Sequence, residues 1–211
     1  MVAKVFSGSV GKKLGMALTG LALYVFLAGH LAGNLLLFKG DGGAQFNAYS
    51  EFLLHHPLLV PVELGLAVVF ILHVLLAISV SLDNRRARPV GYQVERPTGG
   101  RNWASRTMLY SGLFTLLFLI IHLKNFKYAD RAGGTLYELV VGSFRTPLYA
   151  GGYVLAMILL GFHLWHSFQS AFQTLGLALS QRLRSLSIAV CLVLAGGFGL
   201  IPLWIYLSGA R

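Results

Sequence analysis

The chain is poor in charge and poorest in acids. Charged residues make up 11% of it, and only seven of its 211 residues are Asp or Glu. Soluble domains carry about a quarter charged residues, so this composition excludes an ordinary water-facing surface. Cysteine occurs once, at Cys191, inside an apolar run. A lone cysteine excludes an intrachain disulfide and a cysteine-ligated iron–sulfur cluster, and reads as a small buried hydrophobe. No internal repeat or low-complexity tract stands out. A cleavable signal peptide is not expected either, because the first apolar run is too long for a signal core and lacks a small-residue cleavage site.

What is abundant is apolar surface, at 56% of residues. It is gathered into five runs, at about 14–38, 57–82, 107–126, 148–179 and 186–207. A bilayer core about 30 Å thick requires about 20 apolar residues per helix, and in hydrocarbon only a helix or a closed barrel satisfies its own backbone. The expected fold is all-α: one membrane bundle of five transmembrane helices over residues 1–211, joined by short polar connections. The formal net charge of +10 does not indicate a nucleic-acid partner, because the basic residues fall between the apolar runs, where membrane topology accounts for them. With the N-terminus inside, eleven of the seventeen Lys and Arg residues fall in the inner segments and six in the outer ones. The bias places the N-terminus in the cytoplasm and the C-terminus outside, in a multi-pass protein of the cytoplasmic membrane.

Seven histidines are present, and five lie within spans: His30, His73, His122, His163 and His166. His55 and His56 read as solvated loop residues. An ionisable side chain within a span is costly and marks function by default, and here four successive spans carry one. At about 1.5 Å per residue, His30 and His122 fall toward the outer ends of spans one and three. His73 and His163 or His166 fall toward the inner halves of spans two and four. Two stacked imidazole pairs suit two bis-histidine haems. A zinc site would want about four ligands at one depth, and a proton relay would normally include carboxylates, of which Glu63 alone is a plausible intramembrane example. Gly29, Ala32 and Gly33 beside His30, and Gly161 and Ser167 near His163, clear space for a flat ligand or for a neighbouring helix. His163 heads a stripe with Ser167, Ser170 and Thr174, and His166 a second with Gln169 and Gln173, so periodicity does not choose between them.

Four segments then carry a family resemblance: GSVGKKLGMALTGLALYVFLAGHLAGNLLLF, FNAYSEFLLHHPLLVPVELG, RNWASRTMLYSGLFTLLFLIIHLKNF and GFHLWHSFQSAFQTLG. In this order the chain resembles the di-haem cytochrome b anchor subunit of succinate dehydrogenase and fumarate reductase, in its single-subunit five-helix form. The resemblance implies two haem b groups, one held by His30 and His122 and the other by His73 and His163, with His166 secondary. It implies a flavoprotein and an iron–sulfur protein docked on the cytoplasmic side, electron transfer to or from menaquinone or another quinone within the membrane lipids, and dicarboxylate chemistry confined to the partners. A dimer of the whole complex is left open. Some relatives place a glutamate two positions before the fourth-span ligand; that position is Gly161 here. Quinone protons need a titratable group, for which Glu63 comes first and Glu51 second. Haem propionates need cationic or hydroxyl partners: Lys12, Lys13, Trp103, Arg106 and Arg182 on the inner side, Lys124 and Tyr49 on the outer. Two other readings compete, a cytochrome b anchor of a hydrogenase or formate dehydrogenase, and a non-redox transporter that uses histidine for protons.

Overall fold

The computed structural model describes residues 8–87, 103–131 and 133–209, with the side chains of 103–107 excepted. Its elements are helices, and the described residues include no strand. Helix α1 (Ser9–Asn34) passes into a 3-10 turn at Leu35–Lys39. Then come α2 (Ala44–Leu54), α3 (Leu59–Arg86), α4 (Trp103–His122) with a π-helical turn at Leu123–Lys127, α5 (Leu136–Phe144) and α6 (Pro147–Thr174). The last span is α7 (Gln181–Cys191), a π turn at Leu192–Gly196 and α8 (Gly197–Ser208), continuous in direction. Five of these units, Ser9–Lys39, Leu59–Arg86, Met108–Lys127, Pro147–Thr174 and Gln181–Ser208, are long and apolar enough to cross a membrane. The expectation of five spanning helices therefore holds.

Boundaries shift where local chemistry stops a helix that composition alone would extend. The fourth span ends at Thr174 and not near 179, because Gly176 takes a left-handed φ of +92° that favours glycine. The fifth begins at Gln181, where the Ser180 hydroxyl accepts a hydrogen bond from the Leu183 amide at 3.2 Å, a standard N-cap. The connections after the first and third spans, expected as polar loops, each contain a helix. For α2, Asp41 prepares the start: it accepts from the Gln45 amide at 3.0 Å and the Gly43 amide at 3.1 Å. Those two hydrogen bonds hold its carboxyl below the usual carboxylate range. For α5, Thr135 and Glu138 form a reciprocal capping box. Both helices are too short to span, and each turns an apolar face inward. Phe46 from α2 and Tyr137, Val140, Val141 and Phe144 from α5 enter the main buried cluster with Leu37, Tyr153, Ile201 and Ile205. They close one end of the bundle, hereafter the capped end. The opposite end carries Lys12, Lys13, Arg85, Arg86, Arg182 and Arg184.

Packing centres on α6. It lies against α1, α4 and the α7–α8 span and buries Tyr153, Met157, Leu160, Leu164 and Phe168 among others. Helix α3 is the opposite case. It packs on α1 and has no buried side chain, with Val60, Leu64, Val68 and Leu75 more than half exposed. A continuous exposed apolar helix is an aggregation hazard in water, but beside lipid tails it meets a solvent as apolar as itself. Two ion pairs tie its ends. Lys12 meets Asp83 at 2.6 Å at the basic end, and Lys127 meets Glu63 at the capped end. The order of neighbours is thus α3–α1–α6–α4, which leaves α1 facing α4, and α3 facing α6, without close packing between the members of either facing pair.

Candidate functional site: two tiers of histidine

The four spans that carry histidine form those two facing pairs. At the capped end, His30 of α1 and His122 of α4 stand with ring centroids 5.9 Å apart and planes at 83°. Two metal–nitrogen bonds of about 2 Å, with about 1 Å from each bonded nitrogen to its ring centre, would put two axial imidazoles about 6 Å apart. The observed pair fits an iron held between them. Aromatic rings line this tier. Phe26 stacks on His30 at 5.3 Å and Phe118 lies tilted against His122 at 5.7 Å. Phe198 approaches His30, while Phe126 and Tyr153 approach His122. Nδ1 of His122 is buried and meets no hydrogen-bond partner among the described residues. Immediately after His122 the helix widens into the π turn at Leu123–Lys127; such π-bulges occur frequently at functional sites.

The second tier is about 16 Å along the helices toward the basic end, eleven residues back on both α1 and α4. There Thr19 of α1 meets His73 of α3, Oγ1 to Nδ1 at 3.1 Å. Ser111 of α4 meets His163 of α6 in the same way, Oγ to Nδ1 at 3.2 Å. Each imidazole also lies against a glycine. A methyl group at Gly20 would come within 3.3 Å of His73 Cε1, and one at Gly112 within 3.4 Å of His163 Cε1. His73 of α3 and His163 of α6 thus stand at one level of the two facing helices, and His166 lies one turn further along α6. His166, by contrast, has a buried Nδ1 with no partner among the described residues, as does the indole nitrogen of Trp165.

Within the described residues, no three His, Cys, Asp or Glu side chains gather as a metal-binding group. Each tier thus offers two histidines and no third such group. A bare cation needs more donors than that, whereas haem brings four equatorial nitrogens and takes its axial ligands from the protein. At the capped end the residues present would fit a haem on three counts: the 5.9 Å pair, the aromatic lining, and the open face at Gly29 beside His30, where an added methyl group would meet nothing within 4 Å.

Other site candidates fall outside the tiers. Glu63 pairs with Lys127, a partner not foreseen, and both side chains are about two-fifths exposed. Lys127 belongs to the π turn that follows His122, so the Glu63 carboxylate is tied to the turn beside the capped-end tier. Glu51 lies on the exposed side of α2, with its carboxylate 3.7 Å from His55 Nδ1. His56 accepts from the Leu58 amide at 3.2 Å. Lys13 and Lys124 are exposed, and Lys12 is engaged by Asp83. The side chains of Trp103 and Arg106 lie outside the described residues. Gly33 does not clear space for a ligand: Tyr49 fills it, with ring atoms at or inside 3.0 Å of where a Cβ would stand. At Gly161 an added Cβ would press on Ala195 at 3.2 Å, and Cys191 Sγ donates to its carbonyl at 3.0 Å. A glutamate there would have to displace the last span.

Thr19, Gly20, Ser111 and Gly112 carry the second tier and were not anticipated. The signal was present. TGL-x4-FL-xx-H over 19–30 and SGL-x4-FL-xx-H over 111–122 are the same string apart from Thr and Ser, a short internal repeat that spacing alone could have exposed.

No protein-family model matches the chain, and neither a curated protein nor a solved structure does.

Proposed function

We propose that this protein is a di-haem cytochrome b that anchors a succinate dehydrogenase or fumarate reductase complex to the cytoplasmic membrane. In this reading it carries electrons between the iron–sulfur subunit and a quinone, menaquinone by the family resemblance. The observation that supports it most is the pair of histidine tiers, each shared between facing helices that do not pack on one another. His30 and His122 would hold one haem b, His73 and His163 the other. Bound haem would supply a one-electron ferric–ferrous couple in each tier. Two tiers about 16 Å apart cover about half of a 30 Å hydrocarbon core, which suits passage of electrons between a docked partner and the opposite leaflet.

The chain's own residues have separable tasks. Phe26, Phe118, Phe126 and Tyr153 exclude water from the outer tier. Glu63, beside the π turn, would exchange a quinone proton, and its ion pair with Lys127 would supply the counter-ion. The basic end, with Arg85, Arg86, Arg182 and Arg184, would face the cytoplasm and receive the flavoprotein and iron–sulfur subunits, consistent with the positive-inside bias.

A reduced-minus-oxidised visible spectrum of the purified chain, with haem stoichiometry and the identity of co-purifying subunits, tests the proposal. Two b-type haems per chain and a flavin-containing partner are expected. Absence of an alpha band from membranes that contain the intact chain would overturn it.

A further inference from the structure

We infer that Thr19 and Ser111 are positioning residues that fix the tautomer of the inner-tier histidines and so present Nε2 of His73 and Nε2 of His163 as the ligating nitrogens. The inference rests on the proposal that these two histidines hold a haem.

A hydroxyl has one proton to donate and two lone pairs. Thr19 spends its proton on its own helix, at the Gly15 carbonyl 2.8 Å away, with Met16 O at 3.1 Å. Ser111 does the same at the Met108 carbonyl, 3.1 Å away. Each oxygen then faces Nδ1 of the imidazole as an acceptor, and each Nδ1 must carry the proton. A neutral imidazole protonated at Nδ1 has its available lone pair on Nε2. Gly20 and Gly112, each adjacent in sequence to the hydroxyl residue, let the ring approach its helix closely enough for the contact.

The arrangement occurs twice by the same construction. In 19–30 and in 111–122 one helix supplies a hydroxyl–glycine pair to the histidine of the following span. Eleven residues later, on nearly the same side of the helix, it supplies its own histidine, with a phenylalanine four residues earlier against that ring. Spans one and two thus correspond to spans three and four. Among the described residues the outer histidines have no equivalent acceptor: Asn34 Nδ2 lies 3.5 Å from His30 Nδ1, and Nδ1 of His122 has no partner. An N–H to acceptor bond raises the donor strength of a ligating imidazole, and its loss typically weakens metal binding about 10- to 100-fold. A stronger donor favours ferric iron, so the inner haem is held at a lower potential by this contact than it would be without it.

The test is potentiometric titration and EPR of the full-length, haem-loaded protein carrying Thr19→Val or Ser111→Ala. Each variant is expected to move the same component upward, the one abolished by His73→Ala, and to leave the other in place as an internal control of folding. A tenfold preferential loss of ferric affinity corresponds to about 59 mV for a one-electron couple. Thr19→Ser should restore the wild-type position. If Thr19→Val loses the inner haem outright, Thr19→Ser must return it; failure of that rescue overturns the assignment. So do two fully loaded variants with unmoved potential and unmoved EPR signals, or a shift confined to the outer component. A wild-type chain without haem would instead defeat the functional proposal itself, so the two failures are distinguishable.

Discussion

Replacing Gly43 with alanine would strain the capped end in two separable ways. Gly43 begins α2 with φ +84°, and a left-handed backbone costs an L-residue about 1–2 kcal/mol. An added Cβ would also lie inside 3.0 Å of three atoms of the Tyr137 ring, and overpacking of this kind costs about 1–3 kcal/mol. The two together come to about 2–5 kcal/mol. Gly40 supplies the comparison: its φ is +70°, yet a Cβ there would meet nothing within 4 Å, so Gly40→Ala should cost only the backbone strain. For a chain of this size each kcal/mol is about 2–4 °C. Gly43→Ala should therefore melt about 2–12 °C below Gly40→Ala. Near-UV circular dichroism in detergent, which reports the aromatic packing of the cap, would follow the melt, with limited proteolysis of 40–56 as a second readout. Placing Gly43→Ala in a Tyr137→Ala background removes the ring and should bring its cost down to that of Gly40→Ala. Coincident melts for the two single variants, or an unchanged cost without Tyr137, would refute the argument that the ring contact holds the cap.

His30→Ala and His122→Ala should each remove the outer haem and spare the inner one, whereas His73→Ala should remove the inner; loss of one common spectral component in His30→Ala and His73→Ala would contradict the pairing. In the fourth span, His163→Ala should cost a haem while His166→Ala retains both, because Ser111 holds His163 and no described residue bonds Nδ1 of His166; bleaching by His166→Ala would place the ligand one turn on. Glu63→Gln should keep both haems and lower quinol-linked turnover strongly, with partner-flavoprotein activity toward a soluble acceptor unchanged. The ion pair with Lys127 is worth only about 0–1 kcal/mol at this exposure, so a fall in activity without a fall in stability is the expected pattern, and unchanged quinol turnover would remove Glu63 from the proton path.

By itself the sequence determined the class of protein. Five apolar runs with 11% charge admit only a helical membrane bundle, because backbone in hydrocarbon must bond to itself. It also determined the depth of each histidine, since rise per residue converts position in a span into height. It held the 19–30 and 111–122 repeat as well, although the repeat had no visible meaning before Thr19 and Ser111 were seen against imidazoles. What only the tertiary structure decided was facing. In a soluble helix the apolar stripe marks the inward side; α3 is apolar all round, and lipid is as apolar as a bundle interior, so hydropathy carries no direction. His163 and His166 lie three residues apart in one span, and they are distinguished by Ser111 and Gly112 on a different helix. Gly33 is equally open in sequence, and Tyr49 from α2 occupies it. The cap helices escaped notice because eleven and nine residues are too few to span. Their apolar faces acquire a purpose only in the fold, where Phe144 of α5 packs on Phe126 and Tyr153.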